Sequence, residues 1–245
     1  MPQGRLFAFI DWDDTLKVTN DLYYQISRKN AELVLSHLPG AGLTPADLVH
    51  MVHEIDLEKA RRFGLRAENY PSSWRDCYRK VAASLGVEPL EEVARLLAAN
   101  AETVSRLPQP DYPGAPELLH FLRRHQFEIT IWTSGNSDIQ TGKVERSGWA
   151  PLIDRLVVVA EKTPETLKEA LGGRDPALCS VVGNSPRADV LPALAVGAKA
   201  IHVLQSTWGY DQAEIDHRHE NYHPVSSLRE VPALLCRLFS LPRPS

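Results

Sequence analysis

The stretch Asp11-Trp12-Asp13-Asp14-Thr15 sets two carboxylates two residues apart, directly behind an apolar run at residues 6–10. Farther along stand Thr133-Ser134-Gly135, then Lys162, then Gly183-Asn184 with Asp189 close behind, each just past another short apolar run. This mixture of carboxylate, ammonium, hydroxyl and amide groups suits phosphoryl transfer. The transferring group is anionic, so a bare carboxylate reaches it only when cations neutralise the charge. A Mg²⁺ ion, which favours oxygen ligands, would bridge Asp11 and the phosphate. Lys162 would add a point charge, while Thr133 and the neighbouring backbone amides of Ser134 and Gly135 would hold the remaining phosphate oxygens. Asp11 could then attack phosphorus and form an aspartyl phosphate. Asp13 would protonate the leaving alkoxide and later take a proton from water. Such a pair needs unequal surroundings. Metal contact is expected to keep Asp11 ionised and a drier setting to raise the proton affinity of Asp13, the two titrating as a coupled pair.

Those residues must be delivered to one place, and the hydrophobic pattern says how. Apolar, β-branched runs at 6–10, 129–132, 156–159, 180–182 and 200–203 read as strands covered on both faces. Helical patterns fall between them at about 115–125, 138–147, 164–171 and 187–196, with a last helix over 225–239. This rhythm predicts an α/β fold, a Rossmann-like open parallel sheet with right-handed crossovers. In such a sheet ligands bind beyond the carboxyl ends of the strands, which is where all the residues above stand. Residues 18–106 break the rhythm and read as about four helices, with Thr44-Pro45 and Ser72-Ser73 as starts and Gly64 and Gly86 as stops. The expected division is a core of 1–17 and 107–245 with an inserted all-helical domain of 18–106, rejoined through the Pro-rich link 108–114. The tail at 205–223 reads as polar and irregular.

In this order and spacing the residues resemble the haloacid dehalogenase-like (HAD) hydrolase superfamily. An apolar strand followed by DxDx[TV] matches residues 7–15, a strand ending in Thr or Ser matches 129–133, the third-motif lysine matches Lys162, and a glycine-led acidic motif matches 183–189. The resemblance implies a helical cap inserted after the first motif, closing over the core to exclude water. It also implies magnesium held by the Asp11 carboxylate, the Asp13 backbone carbonyl and the fourth motif. Where the family usually has Asp, this chain has Asn184, which leaves open whether Asn184 or Asp189 touches the metal. Dehalogenation is disfavoured because it needs no acid/base at the position of Asp13. A phosphomutase would keep both acids, and a phosphonate hydrolase would need a cap lysine such as Lys29, Lys59 or Lys80. A metal-binding regulator without turnover is the reading from another class.

Taken singly, each signal has a plainer meaning. DxDDT alone could be a solvated capping turn, Lys162 a surface lysine, and Asp189 a first-turn acid on a helix dipole. Arg61, Arg62, Arg66, Arg75 and Arg79 read as a solvated face, and Asp216-His217-Arg218-His219 with His223 as an exposed polar tail rather than a metal site. Trp74, Trp149 and Trp208 read as packing residues. A formal charge of −4 offers no basic field for nucleic acid or membrane. Cys77, Cys179 and Cys236 lack metal or disulfide spacing and point to a reducing, cytoplasmic setting. The expected partner is a small phosphate ester; oligomeric state is not legible.

Overall fold

The computed structural model describes residues 4–205 and 207–242. The chain divides into two compact units, Met1–Val18 with Gln109–Ser245, and Thr19–Pro108.

The first unit begins with β1 (Phe7–Ile10), four residues whose side chains alternate between two apolar clusters. Ala8 and Ile10 pack with Leu118, Leu122 and Leu235 on one face, and Phe9 packs with Leu167, Ala170 and Ala193 on the other. A strand buried on both faces has no use for polar alternation, which is why this run reads as continuously apolar. After the insertion come α5 (Ala115–Arg124), β2 (Glu128–Ser134), α6 (Ser137–Arg146), β3 (Arg155–Val159), α7 (Pro164–Leu171), β4 (Cys179–Gly183), α8 (Leu191–Val196), β5 (Lys199–Val203), β6 (Tyr222–Val225) and α9 (Val231–Phe239). The insertion contributes α1 to α4. The six strands are all parallel in the order β3-β2-β1-β4-β5-β6. The chain therefore builds outward from β1 on one side through β2 and β3, then returns to β4 on the other. The ends of β1 and β4 form the switch point where an open sheet offers a crevice.

The second unit is all helical: α1 (Asn20–His37), α2 (Pro45–Phe63), α3 (Asn69–Ser84) and α4 (Glu91–Glu102). Thr44 and Asp47 cap α2 reciprocally with Pro45 in the first turn, and Gly64 closes it. Leu48, Val52, Trp74, Tyr78, Val81 and Leu97 form a core of its own.

Three local expectations are corrected. Ser72 and Ser73 lie inside α3, which starts at Asn69, and their hydroxyls bond back to the Asn69 carbonyl at 2.8 Å instead of capping. The helix expected over 187–196 is a five-residue π-type turn, Pro186–Val190, followed by the short α8. The tail is not wholly irregular, since it contributes β6, and the final helix starts at Val231 rather than at Val225. Trp74 is fully buried, and the three cysteines are buried and free. Among the described residues no helix is long and apolar enough to cross a membrane.

Candidate active site

Asp11 extends β1 by one step. Its backbone N–H donates to the Val182 carbonyl at 2.9 Å, so the carboxylate stands where β1 and β4 end side by side. Beyond it the chain turns sharply. The Trp12 carbonyl accepts from the amides of Leu16 and Lys17 at 3.1 Å, and Asp14 takes a φ of 56°, a left-handed conformation that Asp tolerates better than most residues. The turn carries Thr15 back, so that its hydroxyl donates to Asp11 Oδ2 at 2.9 Å and lies 3.3 Å from Asn184 Oδ1. One hydroxyl proton serves the shorter contact, and Asn184 Oδ1 keeps acceptor capacity beside Asp11. His202 on β5 fixes the Asn184 peptide, its Nε2 lying 3.2 Å from the Asn184 carbonyl oxygen.

Lys162 comes from the connection between β3 and α7. Thr163 and Thr166 cap α7 reciprocally with Pro164 in its first turn, which places Lys162 at the sheet edge one residue before the cap. Its buried ammonium donates to Asp11 Oδ1 and, at 2.7 Å, to Asp189 Oδ1. Asp189 Oδ2 accepts the Ser185 amide at 3.0 Å, so both of its oxygens are engaged by the protein. The same carboxylate lies against Gly183, where a Cβ would come within 2.2 Å of Asp189 Cγ and Oδ2. Only glycine leaves that room.

Two buried carboxylates face one buried ammonium, which leaves excess negative charge in a dry pocket. Burial pushes the Asp11 carboxyl up to about 6, with Lys162 opposing and the charge of Asp189 adding. Burial raises Asp189 as well, against the same lysine. For Lys162 burial pulls downward, but its two carboxylates carry it above the usual lysine range and keep it charged. A further acid is near: Asp211, raised by burial and by Asp11, accepts the Ser185 hydroxyl at 3.0 Å. Oxygen donors, burial and surplus negative charge suit a hard divalent cation, so the residues present fit magnesium. They do so without a dense ligand cluster: among the described residues no three His, Cys, Asp or Glu side chains gather as one.

Asp13 reverses its expected setting. It is Asp11 that is dry, whereas the Asp13 side chain is 28% exposed and gripped by donors. Lys143 Nζ bonds both of its oxygens at 2.9 and 2.7 Å, Gln109 Nε2 reaches Oδ1 at 2.9 Å, and Gln140 Nε2 reaches Oδ2 at 3.0 Å. The difference arises because the turn at Asp14 leaves Asp13 on the polar side of the loop while Asp11 stays in the strand. Gln140 Nε2 also donates to Thr133 Oγ1 at 2.7 Å and to the Ser134 carbonyl at 3.1 Å. The Gly135 amide, expected to face phosphate, donates to the Val159 carbonyl at 3.0 Å and is committed to the sheet.

The structure thus joins Asp11, Lys162, Asp189 and Asn184 in one group, and Asp13, Thr133 and Ser134 in another through Gln140. Sequence reading missed Gln109, Gln140, Lys143 and Asp211. Gln140 and Lys143 carried a signal: they sit three residues apart on one face of the helix that follows the second motif. Asp211 carried none.

No family model matches the chain. The pyrimidine 5′-nucleotidase YjjG of Escherichia coli strain K12 is 30% identical over 169 residues, 64% of this chain and 68% of that protein. A haloacid dehalogenase-like family hydrolase from Xanthomonas campestris has the same fold with a TM-score of 0.74 at 23% identity, covering 97% of this chain and 98% of its own. The putative HAD-hydrolase YfnB of Bacillus subtilis, solved bound to magnesium, aligns with a TM-score of 0.63 at 18% identity over 95% of this chain and 99% of its own. With the six-stranded parallel sheet and the motif residues at its carboxyl edge, the chain belongs to the haloacid dehalogenase-like hydrolases.

Proposed function

We propose that the chain is a magnesium-dependent phosphohydrolase that cleaves a small phosphate monoester through an aspartyl phosphate on Asp11. The observation that carries this reading is the pairing of Asp11 with the buried Lys162 at the switch point, two residues from a second carboxylate held in a different, polar setting. Asp11, the Asp13 backbone carbonyl and the Asn184 amide oxygen would hold magnesium. Asn184 is favoured over Asp189 as the direct ligand because Thr15 Oγ1, which donates to Asp11, also lies 3.3 Å from Asn184 Oδ1 and so sets that oxygen beside the Asp11 carboxylate. When bound, the ion supplies positive charge that lets an anionic ester approach a carboxylate.

The chain's own groups do the rest. Lys162 neutralises phosphate charge, and Thr15 steadies the Asp11 carboxylate for in-line attack. An Asp11 oxygen forms the bond to phosphorus as the ester oxygen leaves, and Asp13 in its protonated form gives that oxygen its proton. Asp13, now ionised, takes a proton from the water that attacks the aspartyl phosphate, which frees Asp11 and inorganic phosphate. The likeness to YjjG makes nucleoside 5′-monophosphates the first physiological class to assay. Three buried free thiols suit a reducing, cytoplasmic compartment.

The test is hydrolysis of 4-nitrophenyl phosphate with and without Mg²⁺ by the wild type and by Asp11→Asn. Turnover that needs magnesium and falls about a thousandfold or more in the variant is expected, in line with loss of a nucleophile. Turnover that survives in Asp11→Asn would overturn the reading.

A further inference from the structure

We propose that Gln140 is a positioning residue that aims the Asp13 carboxylate, tying it through one amide nitrogen to Thr133 and Ser134 at the end of β2. The inference rests on the reading of Asp13 as the acid/base. Asp13 lies in the turn after β1, its backbone bridged to Lys17, and its side chain reaches out of that turn into a partly open setting. Lys143 neutralises it, but an ammonium is a point charge with little directional demand, and the Gln109 amide reaches only the other oxygen, Oδ1, at 2.9 Å. Gln140 is different. It is 4% exposed, and its position is set by α6, whose start is capped by the Asn136 side chain accepting the Ile139 amide at 3.1 Å. Its Nε2 stands 3.0 Å from Asp13 Oδ2, 2.7 Å from Thr133 Oγ1 and 3.1 Å from the Ser134 carbonyl.

The amide can face only one way. Turned over, its oxygen would meet a carboxylate and a carbonyl, both acceptors, with the Thr133 hydroxyl as the sole donor. With nitrogen inward, Oε1 is left buried and without a partner. An unpaired buried acceptor destabilises a fold, and a methionine of similar volume would avoid it. The offsetting gain is on the other atom, where one nitrogen registers the acid/base against the strand end. Losing that registry leaves Asp13 present and still paired with Lys143 and Gln109, yet with its Oδ2 displaced, and a displacement of about 1 Å can lower a rate by about a hundredfold.

Proton delivery matters most when the leaving alcohol is a poor one, which gives a readout that loss of general packing would not move. The experiment compares kcat/KM for 4-nitrophenyl phosphate, whose alcohol leaves readily, with unsubstituted phenyl phosphate, in the wild type, Asp13→Asn, Gln140→Met and Gln140→Leu. Because kcat/KM reports steps up to departure of the alcohol, the later hydrolysis of the aspartyl phosphate does not enter. In both Gln140 variants phenyl phosphate is expected to lose about ten- to a hundredfold and the nitrophenyl ester less than about threefold, echoing the selectivity of Asp13→Asn. Gln140→Met removes the unpaired oxygen, so it should fold even where Gln140→Leu does not. Equal losses for both esters, or no loss for phenyl phosphate, while Asp13→Asn remains selective, would refute the positioning role alone. A wild type inactive on both esters, or an Asp13→Asn variant without selectivity, would remove the underlying functional reading and this inference with it.

Discussion

Gly183→Ala isolates one steric demand at the heart of the site. The backbone at Gly183 is not left-handed, so alanine meets no conformational penalty there; the obstacle is Asp189. A Cβ would lie 2.2 Å from Asp189 Cγ and Oδ2 and 2.7 Å from Asp189 Cβ, far inside the separation of about 3.5 Å at which carbon atoms rest. Asp189 cannot absorb that by a small tilt, because its oxygens are pinned at 2.7 Å to Lys162 and 3.0 Å to the Ser185 amide. It must swing away and lose both. Each hydrogen bond to a charged group contributes about 1.5–3 kcal/mol, so losing two should destabilise the protein by about 3–6 kcal/mol. The assay is urea unfolding of four proteins: wild type, Gly183→Ala, Asp189→Gly and the double variant. If the clash is the cause, the double variant is no less stable than Asp189→Gly, which takes away every atom the new Cβ would meet, and the cycle shows strong non-additivity. Gly183→Ala unfolding within about 0.5 kcal/mol of the wild type, or simple additivity in the cycle, would refute the reasoning.

Asp56 in α2 has its carboxyl pushed up to about 6 by burial, against a hydrogen bond from Ser73 and the charge of Lys59. A raised carboxyl favours the folded state when protonated, so its contribution is full below about pH 4 and is lost as pH rises through about 6. After allowance for partial exposure that is about 2 kcal/mol, and Asp56→Asn should be more stable than the wild type by this amount at pH 7.5 and equal at pH 4 in thermal melts. Thr44→Ala removes one half of a reciprocal cap and should lower stability by about 1 kcal/mol, read as a fall of about 2–4 °C in Tm. Lys162→Met leaves Asp11 and Asp189 facing each other without their ammonium; a loss of about 3–5 kcal/mol is expected, partly restored by Asp189→Asn in the same chain. Cys77 and Cys179, both pushed up to about 12 by burial, should resist iodoacetamide at pH 8 until denaturant is added, as mass spectrometry would show.

What could be read beforehand, and what could not, divides along a physical line. Asp11, Lys162, Asn184 and Asp189 were legible because each sits immediately past a strand, and a parallel sheet brings its strand ends to one edge whatever the details. β6 was not, because Tyr-His-Pro-Val at a sheet edge includes a proline and only two buried residues, too little for a periodic signal. The helix after Gly183 was misread because Pro186 and Pro192 both fit the first turn of a helix, and two such starts made one continuous pattern. The hardest feature was which carboxylate is dry. Spacing alone makes Asp11 and Asp13 equivalent members of a pair, and chemical intuition assigned the dry setting to the proton donor. Burial, however, is settled by neighbours remote in sequence: Lys162 and Asp189 enclose Asp11, while Gln109, Gln140 and Lys143 surround Asp13 with donors. In this site, then, the second carboxylate stands among an ammonium and two amide donors, the opposite of the dry pocket expected for it. Those donors come from residues that no motif spacing announced.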